Sequence, residues 1–206
     1  MRYNQRMNEM QTLSQPAPTK LEINLLPLKK YEGPVEIVAS DERLRAVMAE
    51  LKNERVLGFD IEVRPSFKSG DHFPPALVQL AGKKKVFLLQ LKKLNVLHDL
   101  GGLFADAGVI KAGVAIAGDI DKLHEVMKFI PAGFVELGKM AAKAGFKASG
   151  VRTLAAQALG VRISKGAQTS NWERAELTPA QVLYAATDAW VCREIFLSLE
   201  KRKKHD

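Results

Sequence analysis

An α/β fold, a mixed sheet of five to six strands flanked by helices, is predicted by three features of the sequence. Short apolar strand-like runs alternate with stretches of helical periodicity from Val35 onward. Gly82-Lys83-Lys84-Lys85 separates two of the strands by a turn of hairpin length, which makes that pair antiparallel. Later strands alternate with helices, the pattern of parallel pairing.

The elements follow in order. Residues 1–33 carry Asn, Gln, Ser and the prolines Pro16, Pro18 and Pro27 with weak periodicity, and read as a flexible N-terminal arm. The main domain is placed at 34–201. A short strand at Val35 to Val38 leads to Ser40 or Asp41, either of which can cap a helix whose Leu44, Val47, Met48 and Leu51 share one face. Strands are expected at Val56 to Glu62, Ala76 to Ala81 and Val86 to Leu89. A helix near Leu97 to Ala107, a buried strand at Val109 to Ile116, a helix at Asp119 to Phe129 and a short strand at Phe134 to Leu137 come next. Helices fill the remainder. Thr178-Pro179-Ala180-Gln181 combines a capping residue, a first-position proline and a third-position glutamine, so a long helix should run from Pro179 to about Leu199. The basic run Lys201 to Lys204 leads into a tail at 202–206.

Composition narrows the classes. The 206 residues carry a formal charge of +8 and 47% hydrophobic residues, which excludes a disordered chain and suits a polyanionic partner such as nucleic acid. No apolar run approaches the roughly 18 residues of a membrane span, and Met1 to Lys20 lacks the apolar centre of a signal peptide. A cytoplasmic protein is expected. Cys192 is the single cysteine, and His72, His98, His124 and His205 are scattered, so neither a disulfide nor a zinc spacing is available.

The carboxylates are the informative feature. Asp60 and Glu62 stand two apart on a strand and so leave the same face, while Ile61 faces the other way. Two such acids at the end of the apolar run Val56-Leu57-Gly58-Phe59 repel each other unless a cation neutralises them, and hard divalent ions take oxygen ligands. Chance spacing alone supplies about two or three acid-x-acid pairs in a chain of this composition, so a solvated strand end is the other reading. Asp119 follows a strand through Ala117-Gly118 and suits a helix N-cap as well as a ligand; Asp121 shares its turn. Tyr184 and Asp188 lie four apart on the last helix, with Ala185, Ala186 and Ala189 leaving room for close approach.

Order turns these fragments into a pattern. Phe59-Asp60-Ile61-Glu62, Gly113-Val114-Ala115-Ile116-Ala117-Gly118-Asp119 and Leu183-Tyr184-Ala185-Ala186-Thr187-Asp188-Ala189 resemble the three exonuclease motifs of the DEDD superfamily, and the tyrosine four residues before the last acid matches its DEDDy branch. Ser170-Asn171-Trp172 resembles a further motif shared by ribonuclease D and the Werner syndrome protein exonuclease domain. The resemblance covers about Val35 to Lys201 and implies a ribonuclease H-like fold. It also implies removal of nucleoside 5'-monophosphates from the free 3' end of a nucleic acid by metal-dependent hydrolysis, with DNA ahead of RNA. By the same resemblance Asp60 bridges two divalent ions, Mg²⁺ or Mn²⁺. Glu62 and Asp188 complete the site of the first, Asp119 supports the second, and Tyr184 orients the attacking water. Departures stand at Val63, where relatives often place tryptophan, and at Trp190, where they often have tyrosine. The candidate nucleic-acid contacts are Ile61, Phe73, Arg162, Lys165 and Gln168, with Phe67 and Pro74 in the same loop as Phe73, while Trp172 is expected to be structural.

Two other classes bear on the same residues. A nucleic-acid-binding module without catalysis shares the fold and the charge, but all four acids and the tyrosine are present. A doubly wound nucleotide-binding domain is suggested by the alternating elements, yet the chain has neither G-x-x-x-x-G-K-[ST] nor G-x-G-x-x-G.

Overall fold

The computed structural model describes residues 16–66, 68 and 70–203. Its centre is one six-stranded mixed sheet of β1 (Val35–Val38), β2 (Val56–Val63), β3 (Pro75–Ala81), β4 (Val86–Gln90), β5 (Ile110–Gly113) and β6 (Phe134–Glu136), in the order β1-β4-β3-β2-β5-β6. The run β2-β3-β4 is antiparallel, with Gly82 N–H donating to the Lys85 carbonyl across the predicted turn. β1 lies parallel to β4, and β5 and β6 extend the sheet parallel to β2.

Each face is covered by helices because each presents apolar side chains at alternate positions. Phe59, Ile61, Val78, Leu80 and Phe87 pack against α2 (Asp41–Lys52), α3 (Leu97–Phe104) and α4 (Ile116–His124). The predicted stripe Leu44, Val47, Met48 and Leu51 is the buried face of α2, and Ser40 is its cap, its hydroxyl accepting from Arg43 N–H at 3.2 Å. α5 (Leu137–Lys143), α6 (Val151–Leu159) and α7 (Pro179–Lys203) cover the opposite face. Among the described residues, no helix is long and apolar enough to cross a membrane.

The approach of α7 to β2 positions the site. A Cβ placed on Gly58 would lie 1.9 Å from the Ala189 carbonyl oxygen and 2.8 Å from the Arg193 nitrogen, so backbone meets backbone there. Ala185, Ala186 and Ala189 are fully buried at this seam. Gly58→Ala must push helix and strand apart and is expected to cost at least about 2 kcal/mol, read as a fall in the midpoint of chemical denaturation. An unchanged midpoint would show that the seam yields freely.

Two regions differ from expectation. β5 ends at Gly113 and α4 begins at Ile116, three residues before Asp119. Ala115, at φ 60°, turns the chain out of the strand in a left-handed conformation, and the Glu136 carboxylate takes over capping by accepting from Ile116 N–H at 2.9 Å. Of the arm, residues 1–15 lie outside the described residues, whereas 16–33 are docked instead of free. Thr19 and Glu22 close a capping box on α1 (Lys20–Leu25), Ile23 is buried, Leu28 bridges to Arg162, and Tyr31 N–H donates to the Thr187 hydroxyl at 3.1 Å. At the other end α7 continues through the basic run to Lys203, and 204–206 lie outside the described residues.

Candidate active site

β2 delivers the first two acids. Its alternation sends Asp60 and Glu62 toward α7 while Phe59 and Ile61 enter the opposite core, and a register irregularity between Glu62 and Val63 ends regular pairing just beyond the pair. α7 supplies the others. The Thr178–Gln181 capping box starts it, with Thr178 N–H and hydroxyl donating to Gln181 Oε1 at 3.0 and 3.2 Å and Gln181 N–H donating back to the Thr178 hydroxyl at 3.2 Å. Tyr184 and Asp188 then project over β2. Trp172, 1% exposed, packs its ring 6.0 Å from that of Tyr184 and is structural as expected.

Carboxylate oxygens of Asp60, Glu62 and Asp188 lie within 4.8 Å of one another, an arrangement able to hold a metal ion. They line a cleft of about 220 Å³ with Ile61, Val114, Val151, Gln168, Tyr184 and Cys192. Asp119 lies outside that triplet, yet its charge reaches both Asp60 and Glu62. It sits in the first turn of α4, half-buried, whereas Asp121 is exposed. Burial therefore separates the two acids that spacing left adjacent.

The acids oppose their own ionisation. Burial first, then repulsion from Asp188 and Asp119, holds Asp60 well above the usual carboxylate range. Glu62 is pushed up to about 10 by burial and by Asp60, Asp188 and Asp119. Asp119 rises to about 7 through burial and Glu136, and Asp188 rises to about 6 through burial, with a Tyr184 hydrogen bond and Arg152 pulling the other way. Burial and the same carboxylates drive the Tyr184 phenol above its ordinary value, so it stays protonated. Asp188 Oδ1 is buried without a hydrogen-bond partner. An all-oxygen donor set, mutual repulsion and an orphaned carboxylate oxygen fit a hard divalent cation.

A second recess of about 560 Å³ shares Val151, Gln168, Tyr184 and Asp188 with the cleft and adds Lys20, Arg152, Thr153 and Lys165. Lys165 and Gln168 both line this recess. Arg162 does not: its Nε donates to the Leu26 carbonyl at 3.0 Å, because the bridge to Leu28 turns the residue toward the arm. Phe73 is stacked under the Arg64 guanidinium at 4.6 Å and borders neither cavity; Phe67 lies outside the described residues. Glu136 escaped the sequence reading although it carries a signal, an acid at a strand end directly before a helix. Its two oxygens accept from Ile116 and Gly138 N–H, at 2.9 and 3.0 Å, tying the starts of α4 and α5 together.

A mixed sheet with an acidic cleft on a central strand and a long helix closing that cleft is a ribonuclease H-like arrangement. The chain belongs to the 3'-5' exonuclease family, whose model matches residues 35–204. It is 30% identical to the human Exonuclease mut-7 homolog over 217 residues, covering 89% of this chain and 25% of that protein. It is 28% identical to Ribonuclease D of Gluconacetobacter diazotrophicus over 179 residues, covering 85% and 44%. The chain thus spans less than half the length of these relatives. The Aedes aegypti Nibbler EXO domain superposes with a TM-score of 0.78 at 21% identity, covering 86% of this chain and 93% of that one, which shows the shared fold.

Proposed function

We propose that the domain at 34–201 is a divalent-metal-dependent 3'-to-5' exonuclease of the DEDDy type. The gathering of Asp60, Glu62 and Asp188 in one cleft carries this reading, supported by their unfavourable ionisation without a counterion. These three would hold one Mg²⁺ or Mn²⁺, and Asp119 with Asp60 would serve a second. Such ions neutralise charge on the phosphodiester and lower the pKa of the attacking water.

The chain's own groups do the rest. Tyr184, protonated throughout the working pH range, offers its hydroxyl for hydrogen bonding beside Asp188 and orients the attacking water rather than removing its proton. Arg152, Lys165 and Lys20 line the adjoining recess and suit phosphates, which fix position without reading sequence. Hydrolysis of the terminal linkage releases a nucleoside 5'-monophosphate. DNA leads from the motif strings, and the ribonuclease D relative supports RNA as the second reading.

A gel time course on 5'-labelled single-stranded DNA, 3'-recessed DNA and matching RNA, with Mn²⁺, Mg²⁺ or EDTA, tests the proposal. The expected result is a ladder shortening from the 3' end and stopped by EDTA, with the faster substrate identifying the preferred sugar. Retained binding with no degradation of any substrate overturns the assignment in favour of a binding module.

A further inference from the structure

One buried polar side chain near the cleft has no part in the site described above. Gln79 on β3 is paired directly with Asp60 on β2. Residues paired in this way project from the same face with Cβ atoms about 4.5–5.5 Å apart, a gap that a glutamine amide can span to reach an aspartate carboxylate. The face is the one beneath α7: Leu77 and Ala81 on either side of Gln79 pack with Ala185, Ala186 and Ala189, while Val78 and Leu80 enter the opposite core.

Gln79 is 0% exposed, and neither its Oε1 nor its Nε2 has a hydrogen-bond partner. The backbones of α7 and β2 meet at Gly58, in the same layer. Leaving an amide in such a place without partners is costly, and an apolar residue of similar shape would fill it without that cost. Leu77, Leu80 and Leu88 show that the surrounding strands already use such residues.

Resting on the proposed exonuclease site, we infer that Gln79 is a positioning residue for Asp60, its Nε2 donating to the Asp60 carboxylate when the site holds its cation. Carboxylates that ligate metals are held by outer hydrogen bonds, whose loss weakens metal affinity about 10–100-fold. Gln79 is the polar side chain placed by the ladder to supply one to Asp60 from the sheet side.

The test uses Gln79→Met, with Gln79→Leu as a second apolar variant, beside wild type and Asp60→Ala. Mn²⁺ binding is measured by titration calorimetry, and thermal midpoints are recorded in EDTA and in Mn²⁺. Gln79→Met is expected to melt in EDTA no earlier than wild type, to bind Mn²⁺ about tenfold or more weakly, and to gain a smaller midpoint increase from Mn²⁺. Exonuclease activity should need correspondingly more Mn²⁺ and recover at saturation, a pattern that a packing role does not produce. Folded Gln79→Met or Gln79→Leu protein that binds Mn²⁺ as tightly as wild type overturns the inference and leaves the exonuclease site standing. Wild-type protein that binds no Mn²⁺, like Asp60→Ala, overturns the site itself and this inference with it.

Discussion

Asp60→Ala is expected to abolish 3'-end hydrolysis, by at least about a thousandfold, while nucleic-acid binding persists and the metal-free protein becomes harder to melt. The three effects have one origin. Asp60 stands between Asp188 and Asp119 in charge terms and belongs to the oxygen triplet able to hold a cation, so its loss dismantles the cation site. The cationic recess containing Arg152, Lys165 and Lys20 remains, and with it the electrostatic affinity for phosphates. Without metal, however, the Asp60 carboxylate is desolvated and repelled, and removing it relieves the fold. For a chain of this size each kcal/mol recovered moves the melting midpoint by about 2–4 °C. Midpoints of wild type and variant in EDTA, set beside gel assays in Mn²⁺, read all three. A variant retaining a tenth of wild-type activity would remove Asp60 from the chemistry, and one melting below wild type in EDTA would contradict the electrostatic account.

The second large effect is a loss of stability with rising pH in the absence of metal. Asp188 and Asp119 have folded pKa values of about 6 and 7, and Glu62 of about 10, all above ordinary carboxylates near 4. Between the ordinary value and each raised one, the folded state keeps a proton that the unfolded chain has released. Stability therefore falls as pH increases through that window, by at most about 1.4 kcal/mol per pH unit for each carboxylate. EDTA-treated protein should melt higher at pH 5 than at pH 8, with the steepest loss between about 5 and 6, where all three contribute, and a shallower loss above it as Asp188 and then Asp119 drop out. Mn²⁺ should reverse the trend at the alkaline end, because deprotonated carboxylates are its ligands. Flat EDTA midpoints across this range would mean that the acids are compensated by groups outside the cleft.

Periodicity and capping made most of this fold legible. The stripe on α2, the antiparallel β3–β4 pair and the capping box of α7 are local signals, and local signals survive in a linear chain. The acids were legible through their order, because alternation in β2 and the four-residue spacing on α7 convert directly into shared faces. What escaped depends on tertiary structure. The early start of α4 relies on a left-handed Ala115 and on a cap from Glu136, twenty residues away. The docked arm binds Arg162 more than a hundred positions later, which withdraws from the cleft a side chain whose position in its loop had suggested phosphate contact. Gln79 looks like any polar strand residue until the helix above it is in place.

The seam between α7 and β2 also has a consequence for synthesis. Translation delivers β2, with Asp60 and Glu62, and then α4 with Asp119, well before Tyr184 and Asp188 on α7. Until α7 has left the ribosome and settled onto Gly58, the strand holds half of an acid cluster open to water and the triplet does not exist. Under the proposed function, a nascent chain that still lacks α7 lacks Tyr184 and Asp188, so the triplet able to hold a cation is completed only by the last helix in the chain order.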